Sequence, residues 1–179
     1  MKLYQFLLSF VFLSLHSVTL SKEPVPPTTG FAGCAAKVLT TYPGYLLSVE
    51  AEGNDKGEFF YEFDVFIKDR SNPKNSKEME VECDPVTTQL TDVEEEVNPK
   101  DPKFAKIVKI SKAEAEKQAL KAVAGKIVDR EYSIEKGNPI YEFDILDKKS
   151  KKEIEVEIDG VTGKVLEKEY EFFEVGVES

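Results

Sequence analysis

Between residues 153 and 159 acidic and apolar residues alternate without a break, Glu-Ile-Glu-Val-Glu-Ile-Asp. That is the period-two pattern of a strand with one face buried. The same pattern stands earlier as Glu78-Met79-Glu80-Val81-Glu82-Cys83-Asp84. Tyr61-Glu62-Phe63-Asp64 likewise recurs as Tyr141-Glu142-Phe143-Asp144, and Val86-Thr87 as Val161-Thr162. Blocks that recur in one order indicate an internal duplication, and the first copy carries a longer loop around Arg70-Ser71-Asn72-Pro73-Lys74.

The second copy is the more legible. Ser111-Lys112-Ala113-Glu114 is a capping box, and Ala115, Ala119, Leu120 and Val123 then fall on one helical face. Gly125 is the stop signal. Strands are predicted at 126–135, 140–146, 153–159 and 164–172, with Asp159-Gly160-Val161-Thr162-Gly163 as a tight turn. In the first copy the helix is expected at about residues 31–42. The expected fold is thus α+β: two tandem repeats, each one helix packed on an antiparallel meander of three to four strands. The repeats occupy 22–98 and 111–179, joined by a basic linker at 99–110 that carries Lys100, Lys103, Lys106 and Lys109. The second repeat is expected to fold alone, and the first to do so poorly when reduced.

The helices must cover the apolar sheet faces, which places Tyr61, Phe63, Tyr141 and Phe143 in the core. Glu62, Asp64, Glu78, Glu80 and Glu82, with Glu142, Asp144, Glu153, Glu155 and Glu157, then project the other way, onto faces expected to stay well solvated or to meet cations. Glu80, Glu82, Glu155 and Glu157 sit mid-strand and are the candidate protein-binding residues. Cys34 aligns with Ala115 on the sheet side of the helix, and Cys83 with Ile158 on the helix side of the third strand. The two are therefore expected to form a disulfide, which an exported protein would meet the conditions to close.

Residues 3–20 are apolar and uncharged after Met1-Lys2, and charged, Pro-rich sequence follows Ser21. This reads as a signal peptide over residues 1–21, with Thr19 and Ser21 at the small-residue positions. A retained anchor helix is the alternative, since the run is nearly long enough to span a bilayer. Cleavage predicts a secreted or periplasmic protein with no stable membrane insertion. It also removes Lys2 and His16, the only histidine, taking the net charge from −10 to −11. An acidic chain does not suit nucleic acid. Without histidine, Ser-His and Cys-His nucleophile pairs and His-ligated zinc are excluded. No catalytic, cofactor-binding or metal-ligating set is assigned. Clustered carboxylates would suit calcium, but no contiguous loop has EF-hand spacing.

One helix ending in an Ala-Gly or Pro-Gly step, followed by strands with Tyr-Glu-Phe-Asp and an Asp-Gly-Val-Thr-Gly-Lys-Val hairpin, resembles the PepSY domain. The resemblance runs over residues 110–171 and extends more weakly to the first copy. The tandem layout is also similar to that of beta-lactamase inhibitory proteins. The resemblance implies a secreted, periplasmic or cell-wall module, often attached to proteases as a propeptide. The expected function is a non-enzymatic protein-binding module, a protease inhibitor or modulator, with no cofactor. Its partner would be another protein, an exported protease with a basic surface. A structural or sensory envelope module binding a protein or a cation is the competing expectation.

Overall fold

The computed structural model describes residues 30–176. The expected signal peptide lies outside the described residues. Among the described residues no helix is long and apolar enough to cross a membrane. The chain begins with α1 (Phe31–Thr41), β1 (Tyr45–Asn54) and β2 (Phe59–Ile67). A short 3-10 turn at Pro73–Asn75 leads to β3 (Lys77–Cys83) and β4 (Leu90–Glu96). Then come α2 (Pro102–Ile107), α3 (Lys112–Ala122), β5 (Gly125–Ile127), β6 (Glu131–Glu135), β7 (Asn138–Glu142), β8 (Asp144–Asp147), β9 (Glu153–Asp159) and β10 (Val165–Gly176).

Local chemistry explains the helices. Gly30 enters α1 at a φ of 106°, in the left-handed region that favours glycine. The Ser111 side chain accepts from the Glu114 N–H at 3.3 Å, so Ser111 acts as the N-cap that starts α3. The segment expected to be a linker contains α2. Asp101 caps it by accepting from the Lys103 N–H at 2.7 Å, and Pro102 occupies its first turn.

All strands join one sheet. Its order is β10-β1-β2-β3-β4-β6-β7-β9-β8-β5, and β10 also pairs with β9. The circuit β10-β1-β2-β3-β4-β6-β7-β9 therefore closes into an eight-stranded barrel. Two of the expected strands are each broken in two: 126–135 becomes β5 and β6, and 140–146 becomes β7 and β8, interrupted at Phe143. The seams that close the barrel are antiparallel. Glu94 pairs with Glu135 and Glu96 with Ser133 across β4–β6. Val49 pairs with Val175 and Ala51 with Phe173 across β1–β10.

The expected fold class is corrected by this closure. The protein is mostly β with three short helices, and its strands do not form two separate helix-covered meanders. The physical reason lies at the strand edges. Each run of strands would end in a row of unpaired N–H and C=O groups, and pairing β4 with β6 and β1 with β10 satisfies both rows.

The apolar core lies outside the barrel wall, beneath the helices. Cys34 and Val38 of α1 pack on Val49, Ala51, Tyr61, Phe63, Val65, Met79, Val81 and Cys83. Ala115 and Ala119 of α3, with Phe104 of α2, pack on Tyr141, Phe143, Ile145, Ile154, Val156 and Ile158. The four aromatic residues expected in the core are all buried there. Cys34 and Cys83 are joined by a disulfide at a Cα separation of 5.7 Å.

Candidate functional site

Because the apolar side chains face the helices, the alternating acidic residues of the same strands face the barrel axis. β1 contributes Glu50 and Glu52, β2 Glu62 and Asp64, and β8 and β9 Asp144 and Glu155. All six line one cavity. A second, adjoining space is lined by Glu80 and Glu82 of β3, Glu94 of β4, Glu142 of β7, and Glu155 and Glu157 of β9. Residues from around the whole circuit meet in these two spaces, so together they form the interior of the barrel.

The face expected to stay well solvated or to meet cations is therefore enclosed. Glu80 is buried, while Glu82, Glu155 and Glu157 are half-buried. None of the four offers the flat exposed surface on which the expected protein docking rests. The register shows how closely the carboxylates are stacked. Glu50 pairs with Glu62, Glu62 with Glu82, Asp64 with Glu80, and Glu80 with Glu94. Across the other wall Glu169 pairs with Glu155, and Glu131 with Glu142. Like charges directly opposite on neighbouring strands repel.

The repulsion is relieved by protons. Burial first, and the neighbouring carboxylates second, hold Glu50 at about 9 and Glu131 at about 8, well above the usual range. Burial raises Glu157 to about 9 in the same way. It raises Glu82 to about 7 against the opposing pull of the Thr91 hydroxyl, which donates to Glu82 at 2.8 Å. Glu52, Glu62, Glu80, Glu142, Glu155 and Glu169 are pushed up strongly by desolvation and then by the carboxylates around them. The Ser133 hydroxyl, fully buried, meets both Glu94 and Glu142. A hydroxyl has one proton to donate, so one of these two acids must itself be protonated and donate to it.

The free space in the first cavity is about 50 Å³. That accommodates a few ordered waters or one metal ion, not an organic substrate. The two ends of the barrel differ. At one end Glu78, Glu96, Asp129, Glu153 and Glu174 extend the acidic lining outward, and no Lys or Arg joins it among the described residues. At the other, Lys56 bridges to Glu167 at 2.9 Å, and Asn54 donates to Glu58 at 2.9 Å and to Glu167 at 2.7 Å.

Three groups of carboxylates bring one oxygen each within 4.8 Å of the others: Glu80, Glu94 and Glu142; Asp92, Glu94 and Glu135; and Glu155, Glu157 and Glu169. Carboxylate sets of this kind can take up protons or hard cations, and neither histidine nor free thiol is among the described residues. Glu50, Glu52, Glu94, Glu131 and Glu169 escaped the sequence reading. Their signal was nonetheless present, since Asp92, Glu94 and Glu96 alternate as clearly as Glu167, Glu169 and Glu171.

A PepSY domain, described as a peptidase propeptide and YPEB domain, is found at residues 109–169. It takes in α3 and the chain through the first part of β10. The expected copy at 22–98 and the layout of beta-lactamase inhibitory proteins stand on the sequence resemblance alone. No curated protein matches the chain. Among solved structures, the chain is similar to the crystal structure of a "putative lipoprotein" from Clostridium difficile 630. The identity is 18%, the match covers 86% of this chain and 97% of that one, and the TM-score is 0.32. At that score the likeness says nothing further about this chain's fold or chemistry.

Proposed function

We propose that the protein is an exported, non-catalytic module that acts by binding another protein, and that this partner is a peptidase whose activity it restrains. The PepSY domain at 109–169 carries the reading, because that domain is described by its place in peptidase propeptides. Two features of the chain support it. The apolar run at residues 3–20 suits export. The central cavity of the barrel, about 50 Å³, has no room for an organic substrate, which suits a binding role for the outer surface. Many of the acidic residues counted in the net charge of −10 line the barrel interior, so a basic partner surface is not required by that charge. A second reading, a cation ligand, is favoured by the acidic interior.

The test is an inhibition panel with the full secreted chain against purified exported peptidases of the serine, cysteine and metal-dependent classes. The expected result is saturable, stoichiometric inhibition of at least one, with a complex that elutes as one species. Absence of both inhibition and complex across the panel contradicts the reading.

A further inference from the structure

Glu52 is 1% exposed, and its Oε2 is a buried oxygen with no hydrogen-bond partner. No other buried side-chain nitrogen or oxygen among the described residues is left so. Neither a donor nor an acceptor lies within hydrogen-bond reach of that oxygen, so it is unpartnered whether ionised or protonated. A buried polar atom without a partner is costly in either state.

The surroundings are dominated by carboxylates. Glu52 lines the first cavity together with Glu62 and Glu155. Among neighbouring charges, Glu52 is the one felt most by Glu62, by Glu155 and by Glu169. Glu169 and Glu155 are direct partners across β9–β10 and bring their oxygens within 4.8 Å of each other. The remaining free space is of ionic size.

We propose that Glu52, with Glu62, Glu155 and Glu169, binds a hard divalent cation inside the barrel. An all-oxygen, all-carboxylate donor set selects such ions over soft transition metals. A cation satisfies the stranded Glu52 oxygen and offsets the mutual repulsion of its neighbours. The acidic mouth at Glu78, Asp129 and Glu153 gives a route of the right sign, concentrating cations at the entrance. The site is independent of any peptidase partner, and its test involves none.

The experiment is calorimetric titration of the chelator-treated full secreted chain with calcium alone, and separately with magnesium and with manganese. The unfolding midpoint is followed in parallel. The expected result is saturable binding of at least one ion, with a Kd between about 10⁻⁵ and 10⁻³ M, and a midpoint that rises with ion concentration. Glu52→Gln, close in shape, weakens binding by about tenfold or more. Glu116→Gln on the outer helix leaves it unchanged. If Glu52→Gln does not fold, Glu169→Gln carries the same expectation. No saturable binding of any of the three ions up to about 10 mM by the folded protein overturns the proposal. So does a folded Glu52→Gln or Glu169→Gln that binds as the parent does.

Discussion

Cys34 faces the sheet from α1 and Cys83 faces the helix from β3, and each is fully buried. The bridge ties positions 49 residues apart. In the chain-entropy view such a loop restricts the unfolded chain by about 3–4 kcal/mol. Replacing both cysteines with alanine should lower the denaturant-extrapolated stability by about that amount, measured against the oxidised parent. An unchanged midpoint would show that the pair does not close. This pairing was legible because both residues sit in repeating blocks whose inner and outer faces are set by period alone. The roles of Glu80, Glu82, Glu155 and Glu157 were less legible. Alternation placed them on the face away from the helices, as the structure does, but cannot say whether that face looks into water or across a barrel.

Among the elements, those with complete local signals were the readable ones. The cap at Ser111 and the apolar spacing that follows gave α3, and the strict alternation of residues 153–159 gave β9. α2 was overlooked because its lysines read as a soluble linker, although Asp101-Pro102 is a helix start. Its single buried residue, Phe104, is 1% exposed and makes edge-on contacts with Tyr132 and Tyr141 at centroid distances of 5.7 and 5.4 Å. Phe104→Ala should therefore cost about 3–5 kcal/mol, the range for a large aromatic lost from a core. Lys103, which pairs with Glu95 at the surface, should cost well under about 1 kcal/mol when changed to alanine. Urea unfolding of the two variants checks the contrast, and equal costs would mean that α2 is not docked. The breaks that divide β5 from β6 and β7 from β8 had no signal in the hydrophobic pattern. They arise where the strand pair leaves the barrel wall, with β5 following β8 beyond the circuit.

For the whole molecule the decisive fact is closure, and closure depends on contacts between distant strands that no local pattern encodes. The seam between β1 and β10 joins opposite ends of the described chain. Cut from the first half, residues 99–179 would expose the β6 and β10 edges and an acidic face, and thermal unfolding of that fragment checks the expectation that it folds alone. Closure has a consequence for pH that an open acidic face would not share to the same degree. Glu131 is held at about 8 and Glu82 at about 7, against 4.5 in a free chain, chiefly because burial disfavours the charge. Between 4.5 and those values the folded state keeps protons that the unfolded chain has released. Folding is thus favoured at the acidic side of that window, and the contribution is lost as pH rises through 7 and then 8. The measurement is the unfolding midpoint of the protein in metal-free buffer from about pH 5 to about pH 9. An acidic interior enclosed by a closed barrel predicts a fall of at least about 5 °C across that range. A midpoint that stays level or rises would mean that these carboxylates face water, and that the barrel is not closed around them.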